Sequence, residues 1–158
     1  MGFALTKMQL TSAAFADGEP VPRKHTGDGE DVSPALRWKD VPDGAQSLAL
    51  VCHDPDAPLI LPGSYGFVHW VLYNIPASVT ELAEGVDAYT TGMNDFKKSG
   101  YGGPAPPKGH GIHHYFFWLF ALGADRQFEA GLTMWELLEH IEPNVLGMNR
   151  LMGTYERS

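Results

Sequence analysis

The segment HGIHHYFFWLF, residues 110–120, places three histidines directly before and within the start of an apolar run. The run predicts a β-strand, and side chains alternate between the two faces of a strand. His113 and Tyr115 therefore point to one side, whereas His114 points to the other. An imidazole and a phenol on one face can share a site that His114 does not reach.

Two more polar residues stand at the ends of other apolar runs. His69 lies near the start of FVHWVLYNIP, and Asp54 closes SLALVCHD. If the strands of His69 and His113 are neighbours, their imidazoles meet across the end of the sheet. The Asp54 carboxylate is then a natural hydrogen-bond partner that orients one of the rings.

This set of groups indicates an anion site. Two imidazoles, a phenol and loop amides offer hydrogen-bond donors to one small volume, which suits a phosphate or another oxyanion. A carboxylate beside a histidine favours the imidazolium, so we expect anion affinity to fall as the pH rises from about 6 to 8. The alternative is that His69 and His113 are core histidines with purely structural hydrogen bonds.

Other chemistries have weaker signals. Seven histidines supply metal ligands, but no His-Glu-x-x-His or Cys-x-x-Cys spacing is present, so we expect no metal. Cys52 shares a predicted strand face with Leu48 and Leu50, which indicates a buried free thiol. Ser64 and Ser99 lie in predicted loops without a recognisable base. No dinucleotide or Walker glycine pattern precedes a helix, so no cofactor is predicted.

The elements that must position these groups are mostly strands. The chain has 18 glycines and 12 prolines, which suits short strands joined by shaped loops. The runs at 66–76 and 112–122 are apolar on both faces, so both strands should be central and covered on both sides. The segments with a strand pattern are 7–11, 35–42, 47–54, 66–76, 112–122 and 150–157.

Two segments have helix signals. In SVTELAEG, Ser78 can cap the helix and Glu81 can complete a capping box. In TMWE, Thr133 can cap a second helix, which Pro143 must end or kink.

Residues 17–34 and 90–111 read as loops. The second loop contains SGYGGPAPPKGHG, whose glycines and prolines can hold an irregular shape. Loops of this length in a compact domain are usually functional or disordered. We expect this one to be an ordered binding loop.

Composition and charge restrict the partners. A formal charge of −8, with eleven scattered Lys and Arg residues, provides no basic surface for nucleic acid. No apolar run approaches the roughly 18 residues that span a bilayer, so no membrane insertion is expected. The single cysteine indicates a reducing compartment, and we expect the cytoplasm. The length predicts one domain over residues 1–158.

The sequence also contains a series of longer motifs in a fixed order. The motifs are SPALRW at 33–38, DPDAP at 54–58, FVHWVLYNIP at 67–76, NDFKKSGYGGPAPPKGHGIHHYFF at 94–117, and the closing GTYER. In these motifs and their order, the chain resembles the phosphatidylethanolamine-binding protein family, also called the Raf kinase inhibitor-like family, in its bacterial branch.

The resemblance implies a mainly β fold, a β-sandwich in which a large antiparallel central sheet packs on a smaller sheet with a few peripheral helices. It also implies a cis bond between Ala57 and Pro58 and an anion pocket at one end of the sheet. The implied pocket residues are Asp54, Pro58, His69, Gly102, Gly103, Pro104, His113 and Tyr115.

For function, the resemblance implies a non-enzymatic binding protein for a small phosphorylated or anionic group, with modulation of a kinase as one route of action. Two alternatives stay open. A protein partner can bind the surface, or the pocket histidines can act as acid and base in a hydrolase. The family's bacterial members imply a homodimer.

Overall fold

The computed structural model describes residues 3–58 and 65–158, and Ser64 lies outside this part of the chain. Short 3-10 turns occupy Arg23–His25 and Glu142–Asn144. The strands and the α-helix are, in chain order, β1 (Gln9–Thr11), β2 (Leu36–Lys39), β3 (Ser47–Asp54), β4 (Phe67–Pro76), β5 (Glu81–Leu82), β6 (Thr90–Thr91), β7 (His113–Leu122), α1 (Met134–Ile141) and β8 (Val145–Tyr155).

The strands form two antiparallel sheets. The larger has the order β6-β4-β3-β7-β8, and the smaller has the order β1-β2-β5. The mainly β fold with a larger and a smaller sheet is thus confirmed. The strand of His69, β4, and the strand of His113, β7, are not neighbours as considered above, because β3 lies between them.

The larger sheet is buried on both faces, as the two apolar runs predicted. The inner cluster, against the smaller sheet, includes Trp38, Leu50, Trp70 and Phe117. The outer cluster, under α1, includes Val51, Val71, Phe120, Leu137 and Ile141. Burial of each large apolar side chain stabilises the fold by roughly 1.5–3 kcal/mol, so these two layers hold the central strands rigidly.

Cys52 lies in the inner cluster with Leu48 and Leu50, which confirms the prediction of a buried free thiol. Burial, and then the charge of Asp54, raises the pKa of the thiol. The thiol therefore stays protonated at neutral pH and behaves as a small apolar core group.

The predicted helix after Thr133 is confirmed. The Thr133 hydroxyl accepts a hydrogen bond from the Glu136 amide at 3.1 Å, and the Glu136 carboxylate accepts one from the Thr133 amide at 2.9 Å. Pro143 lies in the 3-10 turn that ends the helix. No helix in the described ranges is long and apolar enough to cross a membrane.

The predicted helical turn at 78–85 is wrong. Glu81 and Leu82 form β5, which pairs with Arg37 and Leu36 of β2. Leu82 is buried in the inner cluster, and Glu81 accepts a hydrogen bond from the Arg37 guanidinium at 3.1 Å instead of capping a helix. Tertiary pairing and burial outweigh the weak local preference for a helix.

The cis bond implied between Ala57 and Pro58 is also wrong, since the described part of the chain has no cis peptide bond. The trans form is the default for a bond before proline by about 0.5–1 kcal/mol. The turn is held instead by the Asp54 carboxylate, whose Oδ1 accepts a hydrogen bond from the Asp56 amide at 2.8 Å.

Candidate functional site

A cavity of about 200 Å³ opens at one end of the larger sheet. Because β3 is antiparallel to both of its neighbours, its last residue, Asp54, lies between the beginnings of β4 and β7. His69 and His113 therefore reach one cavity although their strands do not pair. The lining residues are Asp54, Ala57, Pro58, Phe67, His69, Phe96, Ala105, Pro106, Pro107, His113 and Tyr115.

Asp54 and His113 form a buried pair in the wall of this cavity. Nδ1 of His113 lies 2.6 Å from Oδ2 of Asp54, and both side chains are almost fully buried. His114, on the opposite face, pairs with the exposed carboxylate of Asp56 at 2.7 Å, as strand alternation predicted. The carboxylate therefore orients the His113 ring and holds a hydrogen on its Nδ1.

His110 extends this pair to a chain of three groups. Its Nδ1 lies 2.8 Å from Nε2 of His113, so both ring nitrogens of His113 have partners. His110 was not among the predicted site residues, although it stands three positions before His113 in the same motif. A ligand that reaches Nε2 of His113 must take the place of His110.

His69 has a different environment from His113. Its Nδ1 donates a hydrogen bond to the Gly102 carbonyl oxygen at 2.7 Å. Its ring lies 4.9, 5.1 and 5.5 Å from the rings of Phe67, Tyr115 and Phe96. Burial lowers the pKa of His69 to about 4, against the opposing effect of the Gly102 carbonyl. His69 is therefore neutral at neutral pH, and the imidazolium expected above does not form there.

Tyr115 supplies a hydrogen-bond donor to the cavity wall. Its hydroxyl is buried and has no hydrogen-bond partner among the residues that the structure describes. Burial, and then the charge of Asp54, raises the pKa of the phenol well above its usual value. The hydroxyl keeps its hydrogen at neutral pH and can donate it to a ligand.

Gly102, Gly103 and Pro104, which the resemblance places in the pocket, are not among the described residues that line the cavity. The Gly102 amide donates to the His69 carbonyl at 2.9 Å, and the Gly103 amide donates to the Asp31 carboxylate at 2.7 Å. The Pro104 carbonyl accepts from the Gly27 amide at 2.8 Å. These polar groups attach the loop to its surroundings, so the two amides are not free for an anion.

The apolar walls are the part of the site that sequence reasoning missed. Ala105, Pro106 and Pro107 follow the glycines in the same loop, and Phe96 comes from the start of that loop. Phe67 shares a strand face with His69, which is the one signal that could have identified it. Apolar walls around few polar groups are typical of a small-ligand pocket.

Arg157 fixes the outer side of the loop. Its guanidinium contacts the Asp28 carboxylate at 2.7 Å, and its carbonyl accepts from the Gly109 amide at 2.9 Å. The Tyr155 hydroxyl donates to the same carboxylate at 2.7 Å. The bonds from Arg157 and then from Tyr155 lower the pKa of Asp28 from 3.8 to about 2.

We expect Arg157→Met to lower the free energy of unfolding near neutral pH, and to lower it less as the pH falls. Because the pKa of Asp28 is lower in the folded chain, the pair stabilises the fold above about pH 4 and loses this effect as the pH falls toward 2. Urea unfolding at several pH values should show the wild type and variant converging at the acid end.

The matched control is Arg37→Met, which breaks the largely exposed pair of Arg37 with Glu81. Exposed pairs contribute little to stability, so this variant should follow the wild type at every pH. A constant difference between Arg157→Met and the wild type across the acid range would contradict the role of Asp28.

The fold and the cavity define a class of small two-sheet antiparallel proteins that hold a pocket with histidine, tyrosine and aspartate at one end of the larger sheet. The family model for the phosphatidylethanolamine-binding protein matches residues 11–156, and the chain belongs to that family.

Relatives and solved structures agree with this membership. A UPF0098 protein of Chlamydia pneumoniae is 43% identical over 152 residues, covering 96% of this chain and 100% of the relative. The crystal structure of a phosphatidylethanolamine-binding protein homologue, CT736 of Chlamydia trachomatis, has a TM-score of 0.88 at 39% identity and covers 96% and 98% of the two chains. Escherichia coli YbcL has a TM-score of 0.87 at 32% identity and covers 97% and 100%.

Proposed function

We propose that this chain is a non-enzymatic binding protein whose cavity takes a small phosphorylated group, free or displayed on a larger molecule. The observation that carries the proposal is the Tyr115 hydroxyl, a buried donor without a partner at the cavity wall. A buried polar group without a hydrogen bond costs about 1–3 kcal/mol, and a ligand oxygen at this position would recover that free energy.

The proposed binding mode uses two donors. One ligand oxygen accepts from the Tyr115 hydroxyl, and another replaces His110 at Nε2 of His113. The Asp54 carboxylate orients the His113 ring, because its Oδ2 lies 2.6 Å from Nδ1, so that Nε2 faces the place that His110 occupies. The aromatic and proline walls exclude water, which strengthens each hydrogen bond.

A titration with inorganic phosphate and phosphoethanolamine, followed through the histidine ring signals by NMR, tests the proposal. We expect the signals of His69, His110 and His113 to move together and saturably in the wild type, and not in His113→Ala. His140→Ala, on the remote helix α1, is the control and should respond like the wild type. Unchanged signals at millimolar ligand would overturn the proposal.

A further prediction concerns Gly103, which has no room for a side chain. A Cβ there would lie 2.2 Å from the His25 carbonyl and 2.7 Å from the Asp31 carboxylate. Gly103→Ala must therefore push the loop away from its support and shift the cavity wall. We expect calorimetry to show at least about a tenfold loss of phosphate affinity, since a small displacement separates hydrogen-bonding atoms.

Gly123→Ala is the matched control for this prediction. Its Cβ would meet only the flexible side chain of Leu146, at 3.2 Å, far from the cavity. This variant should bind phosphate like the wild type. Equal affinity in Gly103→Ala and Gly123→Ala would show that the position of this loop is unimportant for binding.

A second candidate function is hydrolysis of a phosphoester. The chain of Asp54, His113 and His110 favours it, because a carboxylate-oriented imidazole is the usual arrangement of a general base. Turnover of a chromogenic phosphomonoester that disappears in His113→Ala would support this function. Binding without turnover in the wild type would exclude it in favour of the first.

The homodimer and a kinase partner rest on the family resemblance alone. Sedimentation velocity of the purified chain tests the dimer, which predicts twice the monomer mass. A partner retained by His113→Ala would favour binding through the surface, whereas a partner lost in that variant would favour the cavity.

A further inference from the structure

The polar groups of the cavity have fixed hydrogen-bonding roles. Each oxygen of the Asp54 carboxylate already takes part in one hydrogen bond, with the Asp56 amide at 2.8 Å and with His113 at 2.6 Å. The Tyr115 hydroxyl has no partner in the described part of the chain and is a free donor. The described part of the cavity therefore offers the ligand the Tyr115 hydroxyl as a donor, whereas the Asp54 carboxylate is already hydrogen-bonded within the protein.

His69 has the opposite role. A carbonyl oxygen only accepts hydrogen bonds, so the 2.7 Å contact with Gly102 places a hydrogen on Nδ1 of His69. In a neutral imidazole the other nitrogen, Nε2, then carries a lone pair and accepts. Nε2 makes no hydrogen bond to any residue that the structure describes, and His69 lines the cavity.

The surroundings of His69 oppose a second hydrogen on the ring. The aromatic rings of Phe67, Tyr115 and Phe96 enclose it, and the nearby Asp54 carboxylate is turned to His113. The other titratable groups that act on it are His53 and His113, and a positive charge on either lowers the pKa of His69 further. The ring therefore presents an acceptor over the physiological pH range.

The charge of the cavity also favours a singly charged ligand that carries a hydrogen. Among the described lining residues there is no lysine or arginine, and the one carboxylate is paired with one histidine. Burial of a doubly charged anion without a balancing cation is costly. A singly charged ligand that brings its own hydrogen fits both the charge and the free acceptor.

We propose that His69 accepts a hydrogen bond from the ligand, so that the cavity selects the hydrogen-bearing monoanion of a phosphomonoester over phosphodiesters, sulfate and the phosphomonoester dianion. This inference rests on the proposed function. The P–OH group donates to Nε2 of His69, while an unprotonated phosphoryl oxygen accepts from Tyr115. A phosphodiester and sulfate have no such hydrogen near neutral pH, so their oxygens face the lone pair of His69.

Matched ligands test the selection directly by calorimetry near pH 6. Phosphoethanolamine, a monoester, is compared with glycerophosphoethanolamine, a diester, and inorganic phosphate is compared with sulfate. We expect the first of each pair to bind at least about tenfold more tightly, which corresponds to the loss of one hydrogen bond and the repulsion that replaces it. Equal affinities within each pair would overturn the inference and leave the proposed function intact, whereas no binding by any of the four would overturn both.

The pH dependence of the affinity distinguishes titration of the ligand from titration of a histidine in the protein. Phosphomonoester affinity should fall as the pH rises through the second pKa of the ligand, about 6. A phosphonate has a higher second pKa, so its affinity should begin to fall at a correspondingly higher pH. The same midpoint for both ligands would assign the titrating hydrogen to a histidine and overturn the role of His69.

His69→Gln provides the variant test, because a glutamine amide can turn its NH₂ group toward the ligand. We expect the preference for phosphate over sulfate to shrink to within about threefold in this variant. His140→Gln is the control and should keep the wild-type preference. An unchanged preference in His69→Gln would overturn the assignment. If His69→Gln does not fold, the wild-type ligand pairs and the pH midpoints decide the question.

Discussion

Asp54→Ala is expected to lower the free energy of unfolding by about 3 kcal/mol and to abolish the response to phosphate. Loss of one partner from a buried charge pair is strongly destabilising, since the other partner stays buried without compensation. His113 would lose its partner at 2.6 Å, and the Asp56 amide would lose its acceptor at 2.8 Å. Urea unfolding gives the first quantity, and calorimetry with inorganic phosphate gives the second.

Two further variants test whether the effect of Asp54→Ala comes from the loss of its buried pair with His113. Asp56→Ala removes the neighbouring carboxylate, whose pair with His114 is exposed, and it should cost less than about 1 kcal/mol. The double variant Asp54→Ala with His113→Ala removes both buried partners. It should lower the free energy of unfolding by less than the sum of the two single substitutions. Additive costs would mean that Asp54 and His113 do not stabilise each other.

Tyr115→Phe is expected to raise the stability by about 1 kcal/mol while phosphate affinity falls about tenfold. The hydroxyl is buried without a partner in the described part of the chain, so its removal relieves an unfavourable burial. The same removal deprives the ligand of this free hydroxyl donor at the cavity wall. A gain in stability with a loss of binding is the pattern of a group retained for function.

Tyr101→Phe is the matched control for this prediction. The Tyr101 hydroxyl donates to the His25 carbonyl at 2.6 Å, so its removal should lower the stability by about 1 kcal/mol. The two substitutions delete the same atom, and the expected changes in stability have opposite signs. A loss of stability in Tyr115→Phe as well would mean that its hydroxyl has a partner in the unliganded protein.

Local patterns predicted most of the fold because they depend on residues close in sequence. The apolar runs that became β3, β4 and β7 were identified from alternation and length, and the capping box at Thr133 was identified from its spacing. The segment 78–85 has an equally good local helix signal, yet it forms β5. Its structure depends on pairing with β2, whose Arg37 lies 44 positions before Glu81, and no local pattern contains that information.

Strand alternation alone separates His113 and Tyr115 from His114, so the amino-acid order establishes which side chains share a face. The rest of the site depends on how the strands and loops pack together. The position of β3 between β4 and β7 brought His69 into the same cavity as His113, and the loop packing turned the amides of Gly102 and Gly103 away from it. Burial among aromatic rings made His69 neutral. Residue type follows from sequence, but protonation and free hydrogen-bonding capacity depend on the groups that folding places around each side chain.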